Sequence, residues 1–122
     1  MTYALVIDDN RVFADSLCQM LEYFNIEAEA VYGPWSGITA SKDKMPTMIF
    51  LDINMPGVNG FQVLEYLKRE PQLSEAPVFI VSSEAQDENV KRALQEGAEA
   101  FIPKPVSLDE LEKVLRAARL IG

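Results

Sequence analysis

Five short apolar runs alternate along the chain with five segments in which apolar residues recur at helical spacing. The runs predict strands at residues 3–7, 26–32, 48–51, 78–81 and 98–102. Helices are predicted after Asn10, over residues 35–43, from Gly60, from about Gln86 and after Ser107. The strands are mostly apolar on both faces, which is typical of a parallel sheet covered by helices on both sides. The pattern therefore predicts an α/β fold with one doubly wound sheet.

Four of the predicted helices have a clear apolar face. The residues expected on these faces are Phe13, Leu17, Met20, Leu21 and Phe24; Val63, Leu64 and Leu67; Val90, Ala93 and Leu94; and Leu108, Leu111, Val114, Leu115 and Ala118.

The sequence also contains signals for the ends of the helices. Asn10 is a predicted N-cap, Ser107 and Glu110 form a capping-box pattern, and Gly97 suits a left-handed C-terminal cap. Pro71 is expected to end the third helix at the preceding residue.

The length of 122 residues and a hydrophobic content of 48% suit one domain, predicted to comprise residues 1–122. No apolar run is long enough to predict membrane insertion, and no secretory signal is recognisable at the start. The single cysteine, Cys18, excludes an internal disulfide and is typical of a reducing compartment. We therefore expect a cytoplasmic location.

Charge and composition exclude several classes of function. The formal net charge is −8, and such an acidic surface repels phosphate backbones, so direct nucleic-acid binding is not expected. The sequence has no histidine, which removes histidine general-base chemistry, the Ser-His-Asp triad and the commonest zinc sites. Chemistry here must use carboxylates, lysine, hydroxyl groups or a bound metal ion.

Polar residues stand at the ends of four of the five predicted strands. Asp8 and Asp9 follow the first, Asp52 the third, Ser82 the fourth, and Lys104 comes shortly after the fifth. In a doubly wound sheet the ligand site lies beyond the carboxyl ends of the strands. If the strand order is 2-1-3-4-5, these four strands are neighbours. Three acids, a hydroxyl and an ammonium would then share one pocket.

Such a pocket favours phosphoryl transfer. Clustered carboxylates repel one another, and a hard cation such as Mg²⁺ relieves that repulsion. A carboxylate nucleophile, a metal, a lysine and a hydroxyl are the groups this chemistry needs. Each residue taken alone has an ordinary structural role, such as a turn, a cap or an exposed charge. Their coincidence at one edge of the sheet favours the functional interpretation.

The sequence resembles the receiver domains of bacterial two-component response regulators over essentially its whole length. The matching residues are Asp8-Asp9, Asp52 followed by Met55-Pro56-Gly57 and Gly60, Ser82, and Lys104-Pro105. The resemblance implies a flavodoxin-like (βα)5 sandwich with a parallel sheet of order 2-1-3-4-5. It also implies a phospho-accepting switch in signal transduction. Asp52 would be phosphorylated by a sensor histidine kinase, a phosphotransfer protein or a small phosphodonor, and autocatalytic phosphotransfer and autodephosphorylation would be its only reactions.

The same resemblance implies a role for each site residue. Mg²⁺, or Mn²⁺ in its place, would be held by Asp9 and Asp52, by Asp8 mainly through water, and by the backbone carbonyl of Asn54. Ser82 and Lys104 would hold the phosphoryl oxygens, with a cis peptide between Lys104 and Pro105. Ser82 and Phe101 would be the switch pair that reports phosphorylation to the face of the fourth helix, fifth strand and fifth helix. Asn54, Ser83 and Glu84 would tune dephosphorylation.

The sequence departs from the family pattern at a few positions. Ser82 stands where Thr is common, and Phe101 replaces a frequent Tyr. Ala100 and Lys113 alter the acid and base set that relatives use to dimerise, so a monomer or weak dimer is expected. The downstream partner would be a protein target or an output domain outside this sequence.

Other functions remain as alternatives. A haloacid-dehalogenase-type phosphatase also uses a strand-end Asp, but it needs a second Asp two residues later, where this chain has Asn54. A flavodoxin or Rossmann nucleotide binder needs a phosphate cradle, but the first turn here is Asp8-Asp9-Asn10. A receiver fold that acts only as a docking surface is the third alternative, and a complete acid pocket argues against it.

Overall fold

The computed structural model describes residues 2–122. Its parallel strands are β1 (Tyr3–Ile7), β2 (Glu27–Val31), β3 (Met48–Leu51), β4 (Val78–Ser82) and β5 (Ala100–Pro103). They form one sheet in the order β2-β1-β3-β4-β5. The helices are α1 (Arg11–Tyr23), α2 (Pro34–Lys44), α3 (Gly60–Arg69), α4 (Asp87–Gln95) and α5 (Leu108–Ala117). The predicted fold class and strand order are confirmed.

The core lies in two layers because successive strand residues point to opposite faces of the sheet. On one face, Leu5, Ile49 and Ile80 belong to an apolar cluster with residues of α3 and with Ala93 of α4. On the other face, alternate residues of the same strands pack with α1 and α5. Phe50 and Phe79 stack there with their ring centroids 4.9 Å apart. Both faces are thus covered, as the apolar pattern predicted.

The helix ends follow local signals in the sequence. Asn10 Oδ1 accepts a hydrogen bond of 3.1 Å from the Phe13 N–H, and Ser107 Oγ accepts one of 3.1 Å from the Glu110 N–H. Glu70, which precedes Pro71, leaves the helical region with φ −69° and ψ 116°. Gly97 has a φ of +104°. The capping box is half-formed, because Glu110 Oε1 is buried without a hydrogen-bond partner among the described residues.

Two predicted core residues are exposed. The side of α4 that faces the sheet carries Val90 and Ala93. Leu94 is rotated by about 100° from Ala93 around the helix axis and is 48% exposed. Leu108 is the first residue of α5 and is 42% exposed. The inward stripe of α5 starts one turn later at Leu111, which is fully buried. The sequence pattern identified the helices correctly but placed these two side chains on the wrong face.

The segment after Asp52, predicted as a loop, contains a small antiparallel hairpin. Its strands are Asn54–Met55 and Val58–Asn59. Gly60 follows at the start of α3, where an added Cβ would lie 2.2 Å from the Ile53 Cα. Glycine therefore allows the hairpin to close tightly against the end of β3. Among residues 2–122, no helix is both long enough and apolar enough to cross a lipid bilayer.

Candidate functional site

The sheet itself positions the polar residues at its carboxyl edge. The Asp8 N–H donates to the Val31 carbonyl, the Asp52 N–H donates to the Ile7 carbonyl, and the Lys104 N–H donates to the Ser82 carbonyl, each at 3.0 Å. Each of these residues comes directly after its strand and still makes a ladder-type hydrogen bond to the neighbouring strand. Their side chains therefore start from fixed backbone positions along one edge.

Three carboxylates meet at this edge. One oxygen from each of Asp8, Asp9 and Asp52 lies within 4.8 Å of the others. Asp8 and Asp52 are buried, and Asp9 is exposed. Asp8 Oδ2 is buried and receives no hydrogen bond in acceptable geometry. Together with the two other acids, this buried carboxylate oxygen provides the oxygen-rich ligand set that Mg²⁺ prefers. The residues present thus fit a divalent cation.

Lys104 supplies positive charge at the same place. Its Nζ lies 2.9 Å from Asp8 Oδ2 and 3.7 Å from Asp52 Oδ2, and its side chain is 17% exposed. The short contact with Asp8 Oδ2 is an ion pair whose angles fall outside hydrogen-bonding geometry. The Lys104–Pro105 peptide bond is cis. The ammonium thus lies between the two buried acids.

Asp52 is buried, and the groups around it compensate its negative charge only in part. Its Oδ1 accepts a 2.9 Å hydrogen bond from the Asn54 N–H. Burial raises the pKa of Asp52 above its usual range, and the negative charge of Asp8 raises it further. The Asn54 N–H and the Lys104 ammonium act in the opposite direction without cancelling the shift. Ionisation of the Asp52 carboxyl group is therefore unfavourable in this buried, acid-rich pocket.

Ser82 lies at the end of β4, with its side chain fully buried. Its Oγ accepts a hydrogen bond of 3.0 Å from the Glu84 N–H, which leaves the hydroxyl proton free to be donated. Asn54, Ser83 and Glu84 are exposed, each close in the chain to Asp52 or Ser82. The exposed residues are thus open to water, whereas the hydroxyl of Ser82 is not.

Phe101 lies in the middle of β5, paired with Ile80 of β4. It is half-buried and packs against the apolar cluster that β1, β3 and β4 form with α3. This places its ring on the side of the sheet that α3 and α4 cover. The next residue, Ile102, packs on the opposite face.

Phe13 is a residue at the site that the sequence pattern did not identify. The pattern assigned it to the apolar face of α1, and it does pack against the core there. Its ring centroid also lies 4.2 Å from Lys104 Nζ. Its position one turn after Asp8-Asp9, in a helix that begins at the carboxyl edge of the sheet, was the available signal. Spacing alone cannot separate such a residue from a core position.

Comparisons with known proteins agree on one family. The model of the response regulator receiver domain family matches residues 4–116. Protein PilH of Pseudomonas aeruginosa is 29% identical over 117 residues, which cover 96% of this chain and 97% of PilH. The phosphate regulon transcriptional regulatory protein PhoB of Escherichia coli is 29% identical over 113 residues, or 93% of this chain and 49% of PhoB. The chain thus spans about half the length of PhoB.

The chain is also similar in structure to solved receiver domains. The signal receiver domain of a DNA-binding response regulator from Colwellia psychrerythraea superposes with a TM-score of 0.90 at 28% identity, covering 98% of this chain and 99% of that one. A CheY-like receiver domain protein from Methanospirillum hungatei gives a TM-score of 0.88 at 25% identity, covering 97% and 93%. The similarity therefore covers nearly the whole chain in sequence and in structure.

Proposed function

Because the chain belongs to the family of response regulator receiver domains, we propose that it is a phospho-accepting switch in which Asp52 receives the phosphoryl group. One observation carries the proposal: Asp8, Asp9 and Asp52 each place a carboxylate oxygen within 4.8 Å of the others, with the Lys104 ammonium 2.9 and 3.7 Å from the two buried acids. This collects a nucleophile, a cation site and a positive charge at one edge of the sheet.

Asp52 Oδ2 is the nucleophilic atom in this proposal, because Oδ1 is occupied by the Asn54 N–H. Its electron pair forms a bond to phosphorus while the bond from phosphorus to the donor breaks. From a phosphohistidine donor, the imidazole nitrogen keeps that electron pair and can then take up a proton. The product is an acyl phosphate on Asp52. The chain has no histidine, so a phosphohistidine donor must come from another molecule.

The surrounding residues compensate the charge of the transferring group. Asp8, Asp9, Asp52 and the Asn54 carbonyl would hold Mg²⁺ or Mn²⁺, which neutralises phosphoryl charge when it is bound. The Lys104 ammonium, already 3.7 Å from Asp52 Oδ2, pairs with a phosphoryl oxygen. The buried Ser82 hydroxyl donates to another phosphoryl oxygen. These groups act mainly by positioning and electrostatics, as is usual in phosphoryl transfer.

The signal would leave the site through Ser82 and Phe101. When the Ser82 hydroxyl turns toward the phosphoryl group, it vacates space near β5, and the half-buried Phe101 ring repacks. This changes the surface formed by α4, β5 and α5. The exposed residues Asn54, Ser83 and Glu84 would set the rate at which water attacks the acyl phosphate.

The partners follow from this role. The chain would act in the cytoplasm, where a sensor histidine kinase or a phosphotransfer protein would supply the phosphoryl group. A protein target, or an output domain outside this sequence, would read the altered α4-β5-α5 surface. The acidic surface argues against direct nucleic-acid binding by this chain. The chain would act as a monomer or a weak dimer.

Labelling by an acyl phosphate in the presence of Mg²⁺ tests the proposal. The wild type is expected to gain the mass of one phosphoryl group, and Asp52→Asn is expected to gain none. Asp43→Asn is a matched control, because it removes one exposed acid from the end of α2 and should be labelled normally. Equal labelling of Asp52→Asn and wild type would refute the assignment of the acceptor.

A further inference from the structure

The face of the Phe13 ring lies against the ammonium of Lys104, with 4.2 Å between Nζ and the ring centroid. An ammonium within about 6 Å of a ring centroid, over the face, is attracted by the negative potential of that face. We infer that Phe13 is a positioning residue for Lys104: its ring holds the ammonium at the site while leaving it free to move between Asp8 and Asp52. The inference rests on the proposed function of Asp52.

Asp8, Asn10, Phe13 and Lys104 are linked by a closed circuit of contacts, in which each residue contacts the next and Lys104 contacts Asp8 again. Asp8 Oδ1 accepts a hydrogen bond of 2.9 Å from the Asn10 N–H. Asn10 Oδ1 accepts one of 3.1 Å from the Phe13 N–H. The Phe13 ring contacts Lys104, and Lys104 Nζ returns to Asp8 Oδ2 at 2.9 Å. The cap that starts α1 therefore fixes the Phe13 backbone relative to the acid that Lys104 pairs with.

Unlike Asp8 and Asp52, which also lie beside the Lys104 ammonium, the Phe13 ring would not ligate a hard cation. Asp8 and Asp52 both belong to the carboxylate cluster that fits Mg²⁺. A cation held there would share those oxygens with Lys104 and weaken both ion pairs. Phe13 offers no oxygen ligand, so its attraction for the ammonium would remain. It also has no single acceptor atom, so the ammonium can shift across the ring face without breaking a directional bond.

Burial distinguishes this contact from the other ring–cation pairs among the described residues, whose cations belong to the exposed residues Arg11, Lys42 and Arg92. Arg92 lies 4.1 Å from the Phe61 ring centroid, but its side chain is 50% exposed and pairs with Glu96. The Lys104 side chain is only 17% exposed. Cation–π attraction is stronger when the cation is desolvated. The Phe13–Lys104 contact is therefore the one placed to affect a reacting group.

The contact itself can be measured without phosphorylation. In NMR spectra of the protein in EDTA, the Lys104 ε-methylene protons are expected to be shifted upfield by the ring current of Phe13. Phe13→Leu should remove that shift. Phe24→Leu is the matched control, because Phe24 lies at the other end of α1 and packs edge-on against Tyr23. A Lys104 signal that is the same in wild type and Phe13→Leu would overturn the inference.

The functional effect is tested by replacing Phe13 with phenylalanines carrying one, two or three ring fluorines. Fluorination weakens the negative face while nearly preserving shape, so folding is retained even if Phe13→Leu fails to fold. The rate of acyl-phosphate labelling at saturating Mg²⁺ should fall stepwise, reaching about three- to tenfold for the trifluoro ring. The same replacements at position 24 should leave the rate unchanged.

The two proposals fail in distinguishable ways. If the wild type is not labelled at all, the proposed function is wrong, whatever the NMR spectra show. If the wild type is labelled and the rate does not depend on fluorination at position 13, the role of Phe13 is wrong and that of Asp52 stands.

Discussion

Lys104 Nζ lies closer to Oδ2 of Asp8, at 2.9 Å, than to Oδ2 of Asp52, at 3.7 Å. The ammonium thus pairs mainly with the acid that is not the proposed phosphoryl acceptor. Burial raises the pKa of Asp52, the charge of Asp8 raises it further, and the more distant ammonium does not cancel the shift. The unphosphorylated site therefore contains an unfavourable charge that a metal ion or a rearranged Lys104 can relieve.

Removing the charge of Asp52 should stabilise the protein. Its pKa is raised in the folded state, so folding disfavours the ionised carboxylate. Stability is then greatest below the unfolded-state pKa and falls as pH rises through the folded-state pKa. Asp52→Asn should raise the free energy of unfolding in EDTA at neutral pH, and the gain should vanish at acidic pH. Urea unfolding at several pH values measures this.

Asp43→Asn is the control for that experiment, because Asp43 is exposed and lies outside the acid cluster. Its stability should follow the wild type across the pH range. A loss of stability in Asp52→Asn at neutral pH would contradict the proposed charge imbalance.

Removing the ammonium should have the opposite effect. Lys104→Met leaves Asp8 and Asp52 buried together without a cation. Breaking a largely buried ion pair by deleting one partner costs about 3 kcal/mol. In EDTA we expect a loss of that order, which is partly recovered in the double variant with Asp52→Asn. A loss below about 0.5 kcal/mol, typical of a surface ion pair, would show that Lys104 does not compensate these acids.

Gly60 should resist substitution because of its contact with β3. An added Cβ would lie 2.2 Å from the Ile53 Cα, next to Asp52. Gly60→Ala is expected to cost about 2 kcal/mol through backbone displacement. Gly33→Ala is the comparison, since its nearest contact would be Ser36 Oγ at 3.4 Å. Equal thermal denaturation curves for the two variants would contradict the tight closure of the hairpin.

Cys18 should be chemically inert in the folded protein. Burial, with help from the charge of Asp15, raises the pKa of its thiol to about 11. At pH 8 the thiolate is scarce and the side chain is inaccessible, so reaction with a thiol reagent should be slow. Unfolding in urea should restore the rate of an ordinary cysteine. Rapid reaction of the folded protein would mean that Cys18 is not in the core.

Most of the fold could be predicted from the sequence because strands and helices each give a periodic pattern of apolar residues. Alternation of strands and helices was enough to predict a doubly wound parallel sheet, whereas the order of its strands was implied by the resemblance to receiver domains. The hairpin at Asn54–Met55 and Val58–Asn59 was missed because two-residue strands have no period to detect. Leu94 and Leu108 were misplaced because a broad apolar stripe does not show where contact with the sheet ends.

The sequence predicted which polar residues of the candidate site lie together, but not the distances between them or the position of Phe13. Asp8, Asp9, Asp52 and Lys104 could be placed together, since strand ends share an edge. That Lys104 is nearer to Asp8, and that Phe13 lies beside it, depends on side-chain conformations that spacing does not determine.

The central claim is that Asp52 receives the phosphoryl group. The most direct test is to label the wild type with an acyl phosphate and Mg²⁺, reduce the acyl phosphate with borohydride, and locate the modified residue by tandem mass spectrometry. The expected result is one modified residue, Asp52, with no modification when EDTA replaces Mg²⁺. Modification at another residue with Asp52 unchanged would contradict the account.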